Sequence, residues 1–235
     1  KACLERLREA DIHAEPRGEC GLLLKQPLAV ERLPGFQEGK LSVQDLGAQR
    51  AAQILSPGKG ARVLDACAAP GGKTAHLLEQ GDDLLLVAQD IDPSRCQRIR
   101  ENLTRLGLAA HVRVADATRP LETDGKARFD AILADVPCSA SGVARRFPDI
   151  KWLRREADIA HFAKTQARIL LQLWHCLQEN GKLLYATCSV FPQENEGQIR
   201  RFLKQTPNAR LQHEEHWLPD TEHDGFYYAL LQKHA

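Results

Sequence analysis

From Arg62 onward, short apolar runs take turns with amphipathic stretches, and this alternation restricts the fold more than any other feature. The runs Arg62–Asp65, Leu84–Gln89, Val112–Ala115 and Ala131–Ala134 have the length of strands, as do Lys182–Thr187 and Phe226–Leu231. Between them the spacing predicts helices over Lys73–Glu79, Pro93–Leu106, Glu156–Leu177 and Gln193–Gln205. A further helix, Ser42–Leu55, precedes the series and is ended by Pro57-Gly58. A helix with one apolar stripe must bury it, and a strand apolar on both faces must be covered on both. The arrangement that satisfies both is an α/β domain, with helices on both faces of a mainly parallel sheet. Residues 1–40 offer only a short helical pattern, Cys3–Ala10, and then Pro16, Gly18, Pro27, Pro34 and Gly35 as punctuation. They read as an irregular remnant of a preceding subdomain, with one domain over 41–235.

The first four strands each end on an aspartate or just before one: Asp65, Asp90, Asp116 and Asp135. In an open parallel sheet the carboxyl ends of the strands form the ligand crevice. One acid there could cap a helix. Four are not expected from packing, because an unpaired buried carboxylate is costly. They point to a ligand that brings hydrogen-bond donors or positive charge.

The stretch VLDACAAPGGKTAHLL, residues 63–78, supplies the rest of such a site: strand, small-residue turn, helix. Gly71 and Gly72 allow a ligand close to the backbone at a helix N-terminus. Neither the dinucleotide glycine fingerprint nor the P-loop is present, since the first glycine of a P-loop would fall on Cys67. Asp90 is placed to accept both hydrogen bonds of a ribose diol. Asp116 could accept from an adenine amino group. An adenosyl pocket without a pyrophosphate cradle points to S-adenosylmethionine rather than a nicotinamide dinucleotide.

Composition narrows the class. With 43% hydrophobic and 27% charged residues the chain reads as a globular protein. It has no apolar stretch near the roughly 20 residues that cross a bilayer, and its charged start is unlike a signal peptide. The chain starts on lysine and lacks methionine, which reads as a fragment or a processed form. Seven scattered cysteines without a C-x-x-C pair argue against a disulfide framework and against a structural zinc site. A reducing, cytoplasmic compartment is expected. The net charge of +1 says nothing about nucleic acid, but one local cluster does. Arg145, Arg146, Lys151, Arg154 and Arg155 surround Phe147 and Trp152, a pattern that could grip RNA phosphates and stack bases, or be a solvated surface.

Most of the cysteines read as small buried hydrophobes, and Cys67 as a backbone support for the turn. Cys138 and Cys188 differ, because each follows a strand at the edge that carries the aspartates. Two thiols beside an S-adenosylmethionine pocket suit methylation at carbon 5 of cytosine. That carbon is a poor nucleophile until a thiolate adds at carbon 6, and the adduct must later lose the carbon-5 proton and expel the thiol. One cysteine attacks and the other assists departure. The attacking thiol needs surroundings that favour its thiolate.

The segments CAAPGGKT, DVPCSASGVARRFPDIKW and YATCSVFPQENE resemble the signature motifs of the RNA (cytosine-5)-methyltransferases, in particular the bacterial 16S ribosomal RNA enzymes of the Fmu/Sun type. VQDLGAQ and DGFYYALLQK are similar to their flanking segments, so the likeness spans about residues 33–233. The resemblance implies a Rossmann-like class I methyltransferase fold and S-adenosylmethionine as cofactor, contacted by Cys67, Ala68, Ala69, Pro70, Gly71, Gly72, Lys73, Asp90, Asp116 and Asp135. It implies Cys188 as the nucleophile and Cys138 as the residue that promotes release. Asp135, just before Pro137-Cys138, could also act on N3 of the base. Ribosomal RNA, in particular 16S, is the implied partner of a monomeric enzyme. Val136 replaces the alanine common in the family, and nothing matches the helical NusB-like domain that precedes this region in such enzymes. A cytosine enzyme acting on tRNA or DNA and a non-catalytic RNA-binding module are the rivals. A DNA enzyme would attack through the P-C cysteine, against which the T-C-S motif speaks. A non-catalytic module would be expected to lack a cysteine or an aspartate.

Overall fold

The computed structural model describes residues 2–18, 21–120 and 129–234. In chain order, helix α1 (Ala2–Glu9) leads into a hairpin of β1 (Ala14–Arg17) and β2 (Gly21–Leu24). The main domain follows: α2 (Leu46–Leu55), β3 (Arg62–Asp65), α3 (Gly72–Gln80), β4 (Leu85–Asp90), α4 (Pro93–Leu106) and β5 (His111–Val114). It continues with β6 (Phe129–Asp135), the short α5 (Ile150–Leu153), α6 (Glu156–Cys176), β7 (Leu177–Thr187), α7 (Glu196–Gln205), β8 (Ala209–Trp217) and β9 (Phe226–Lys233).

Seven strands form one sheet in the order β5-β4-β3-β6-β7-β9-β8. The first five run parallel, while β9 pairs antiparallel with both β7 and β8. This is the Rossmann-like arrangement that the alternation predicts. Side chains that alternate along the strands divide the core. Leu64, Ile132, Leu183 and Tyr185 pack under α6 and α7 with Leu170, Leu173 and Phe202. Their neighbours Val63, Leu133, Leu184 and Ala186 pack under α2, α3 and α4 with Leu55, Leu77 and Ile99. Among the described residues no helix is long and apolar enough to cross a membrane.

Local chemistry fixes the element ends. Helix α4 starts on Pro93 with the Asp92 carboxylate accepting from Ser94 N and Arg95 N, and stops at Gly107, whose φ is 67°. Helix α2 begins at Leu46 rather than Ser42, because the Asp45 side chain accepts from Gly47 N and so caps it. Helix α7 begins at Glu196, later than the periodicity implies, because Glu194 and Asn195 turn inward and are buried. Strand β8 went unread: its sequence ARLQHEEHW is largely exposed at the sheet edge and shows no apolar run. The β1–β2 hairpin is likewise unannounced, since Pro16 sits within β1, where an edge strand tolerates it.

Candidate active site

The carboxyl ends of β3, β4, β6 and β7 carry the residues singled out above. Beyond β3, the turn 66–71 is stitched to both neighbouring strands: Ala66 N donates to Leu133 O and Ala68 N to Gln89 O, each at 2.9 Å. The Ala69-Pro70 peptide is cis. Gly71 has φ 98°, and a Cβ there would sit 3.2 Å from the Ile99 backbone. Glycine is required on both counts. At Gly72 a Cβ would meet nothing within 4 Å, so the first turn of α3 presents an open backbone face. Cys67 packs against the core, and burial, then Asp65, push its thiol far above its ordinary range, so it is no nucleophile.

The strand-end aspartates are not equivalent. Asp65 is 1% exposed and takes a 2.6 Å bond from Thr74 Oγ1, while its Oδ1 has no partner. Burial first, and then Asp135, push its carboxyl up to about 7 against the opposing Thr74 bond. Asp90, also buried, has its contacts to Ala69 N (3.4 Å), Asp92 N (3.2 Å) and Arg95 Nη2 (3.5 Å) all long. It therefore retains accepting capacity for shorter bonds. Asp116 already caps its own turn, taking 2.8 and 2.7 Å bonds from Thr118 N and Oγ1. Those bonds hold its carboxyl below the usual range. An orphaned carboxylate oxygen, an under-bonded buried carboxylate and an open glycine turn fit an adenosyl ligand with hydroxyl donors and a positive charge.

Asp135, at the end of β6, forms a 2.7 Å ion pair with Lys73 Nζ from α3. Burial pulls the Lys73 ammonium down, but Asp135 outweighs it and the net direction is up. Lys73 also lies 5.4 Å over the Phe226 ring. Strands β6 and β7 are neighbours, with Asp135 opposite Ala186. That pairing brings the two cysteines together: Cys138 Sγ and Cys188 Sγ are 3.4 Å apart. The hydrogen bond from the Cys138 thiol is the largest influence on Cys188 and lowers it; Lys73 helps, while burial and Asp135 oppose. Cys138 moves the other way, raised by the same bond and then by burial. Of the pair, Cys188 is the thiol eased towards its thiolate and Cys138 the one held towards its protonated form.

The basic stretch divides. Arg146 Nε donates to the fully buried Asp224 at 2.6 Å, and Arg145 lies 3.5 Å from the same carboxylate and 3.9 Å from Asp45. Arg154 Nε donates to Ser139 O at 2.8 Å. These three hold the loop after Cys138 in place through Asp224 and Ser139 O, while each remains exposed. Sequence could not show this, since Asp224 is some eighty positions away. Lys151 and Arg155 are exposed, near Trp152, which is 88% exposed. Of the remaining cysteines, Cys96 is buried in α4, Cys176 ends α6, and Cys3 lines a separate cavity of about 370 Å³ with Leu7, Leu22, His76 and Glu79. Cys20 lies outside the described residues.

The sequence matches the 16S rRNA methyltransferase RsmB/F family over residues 52–232. The chain belongs to this family. Ribosomal RNA small subunit methyltransferase B of Vibrio cholerae is 50% identical over 236 residues, which are 97% of this chain and 54% of the relative. The chain thus spans about half the length of the curated relatives it matches. Among solved structures, a methyltransferase homologue from Pyrococcus horikoshii superposes with a TM-score of 0.83 at 27% identity, covering 98% of this chain and 81% of the other. The NSun6 of the same organism, solved with SFG, gives 0.79 at 26% identity, covering 91% and 60%.

Proposed function

We propose that this RsmB/F-family chain is the catalytic part of an S-adenosylmethionine-dependent methyltransferase that modifies carbon 5 of a cytosine in ribosomal RNA, in particular 16S. The observation that carries the reading is the pair of unlike thiols, 3.4 Å apart, beside the Lys73–Asp135 ion pair. Membership of the family supports the RNA substrate, and the relative solved with SFG, an S-adenosylmethionine analogue, supports the cofactor. Cys67 to Lys73, Asp90 and Asp116 would hold that cofactor, which supplies an electrophilic methyl group when bound.

The chain's own residues do the rest. Cys188, as thiolate, adds to carbon 6 of a cytosine that is flipped out or single-stranded. The thiolate's electron pair forms the C–S bond, and the π pair of the carbon 5–carbon 6 double bond moves onto carbon 5 and towards N3, where the charge is relieved. Lys73 would donate a hydrogen bond there, or Asp135 would do so after taking the proton of its ammonium partner. After methylation a base removes the carbon-5 proton, the double bond re-forms, and the C–S bond breaks to return Cys188. Cys138 is placed to take that proton once its own has passed to solvent, after Cys188 has become bonded to carbon 6. Lys151 and Arg155 would meet phosphates, with Trp152 offering a stacking face. A ribosomal RNA substrate implies a cytoplasmic location, and residues 41–235 would form the domain that does the work.

Incubation with 16S ribosomal RNA and S-adenosylmethionine, followed by a denaturing gel, tests the roles. Cys188→Ala should abolish methylation and the covalent complex. Cys138→Ala should transfer methyl once and accumulate protein–RNA complex. The reverse outcome would make Cys138 the nucleophile, and normal turnover in both variants would sink the reading.

A further inference from the structure

The buried residues Glu194 and Asn195, in the VFPQENE segment that follows Cys188, have no part in the chemistry above. Glu194 is 0% exposed, yet four donors converge on its carboxylate. Ser139 N and Gln166 Nε2 reach Oε1 at 2.9 and 3.0 Å. The hydroxyls of Ser139 and Ser189 both reach Oε2 at 2.5 Å. Ser139 follows Cys138 and Ser189 follows Cys188, so one rigid, planar group holds the immediate neighbours of both thiols. Gln166 extends the grip to the other side of Cys138 by donating to Pro137 O at 3.0 Å. Asn195 does the same around Cys188: its Oδ1 accepts from Thr187 Oγ1 at 2.6 Å and its Nδ2 donates to Ser189 O at 2.8 Å. The Glu194 carbonyl is itself tied down by Tyr185 OH at 2.6 Å.

We propose that Glu194, buttressed by Asn195, is a positioning residue that sets the spacing of the two thiols and so keeps the sulfur–sulfur contact on which the reactivity of Cys188 depends. It touches neither sulfur. A carboxylate buried without partners would be costly, and here every donor that compensates it belongs to a loop bearing a cysteine or to Gln166 behind them. An S–H···S contact survives only a narrow range of separation. If the two loops drift apart, Cys188 loses the donor that favours its thiolate. The groups facing Cys188 from the surrounding elements are Lys73, Asp135, Cys138 and Tyr228, and those facing Cys138 include Glu194 and Tyr185.

The inference rests on the proposed use of the thiols, but its decisive test needs neither RNA nor cofactor. In Glu194→Gln the amide nitrogen must face two donors, so the clamp opens while side-chain size is kept. The rate of Cys188 alkylation by iodoacetamide, followed against pH by mass spectrometry of its peptide, should show a midpoint about one pH unit higher, with roughly tenfold less thiolate below it. Cys138→Ala should raise the midpoint similarly. Adding Glu194→Gln to Cys138→Ala should raise it no further, because the two act through one contact. An unchanged midpoint in Glu194→Gln, or an equal extra rise in the Cys138→Ala background, overturns the proposal. Cooperative thermal unfolding checks that the variant is folded. If it is not, the Ser139→Ala/Ser189→Ala pair replaces it, and there too an unmoved midpoint counts against the clamp. With RNA and S-adenosylmethionine, kcat should fall about tenfold and both KM values stay put. Absence of methylation by the unaltered protein would strike the functional reading and leave the alkylation result to decide the clamp.

Discussion

Asp65 shows how a single residue of the site weighs on the protein that carries it. Its carboxyl, pushed up to about 7 in the folded chain from an ordinary 3.8, binds a proton more tightly folded than unfolded. Below about pH 4 the group is protonated in both states and burial costs nothing extra. As pH rises from about 4 to about 7 the unfolded chain releases the proton while the folded one keeps it, so stability is lost across that window and levels off once the folded group ionises too. Asp65→Asn keeps an acceptor for the Thr74 hydroxyl and removes the titration. In ligand-free protein, thermal or urea unfolding should show the variant gaining on the wild type by a few kcal/mol between pH 4 and 8. Parallel stability profiles for the two proteins would mean that Asp65 is not ionised against burial. The gain should shrink when S-adenosylmethionine is bound, if its positive charge lies near the orphaned Oδ1.

The segment between β6 and α6 combines two tasks that composition could not separate. Arg146 neutralises a carboxylate with no exposure, and removing one member of such a pair leaves an uncompensated buried charge. Arg146→Ala should therefore cost about 3 kcal/mol in urea unfolding, cushioned in part by Arg145. Its effect on the salt dependence of RNA affinity should be small. Lys151→Ala with Arg155→Ala should do the opposite, leaving stability within ~0.5 kcal/mol. The salt dependence should flatten by roughly 1.5 units of log–log slope. Titrations at several salt concentrations distinguish the two, and an unaltered slope in the double variant would return these residues to solvated surface. Gly142 belongs to the same segment. A Cβ there would come 2.4 Å from Gly225 O and 2.9 Å from Cys188 O, so Gly142→Ala should strain the thiol loop and lower the unfolding temperature.

At the scale of the whole molecule, Arg105 of α4 fastens the segment that leads into α2: its Nη1 donates to Phe36 O at 2.7 Å and to Leu41 O at 3.1 Å, and the guanidinium lies 4.0 Å over the Phe36 ring. Arg17 adds a 2.7 Å ion pair to Glu222. Arg105→Ala should remove about 2–4 kcal/mol of local stability from residues 30–41, given hydrogen bonds to a charged donor. Hydrogen exchange should show those amides losing protection while the strands β3, β6 and β7 keep theirs. Equal loss in the sheet would mean that the two parts unfold as one unit.

The sequence by itself determined the layers of this protein. Alternating strand and helix periodicities demand a covered parallel sheet, and the end of β3 at Asp65, the start of α4 at Pro93 and the stop at Gly107 follow from local chemistry legible in a few residues. It also placed the cysteines and aspartates at one edge, because a strand that ends marks where the edge lies. What it could not supply was anything that depends on which strands are neighbours. The 3.4 Å approach of Cys138 to Cys188 exists because β6 pairs with β7, and the opposite directions in which the two thiols are pushed follow from that contact and from Lys73 across the cleft. The same holds for Asp224, which pairs with Arg145 and Arg146, and for Glu194, whose motif was visible but whose partners lie on three other segments. Charge and thiol chemistry act over a few ångströms, and only the tertiary fold decides which groups come that close.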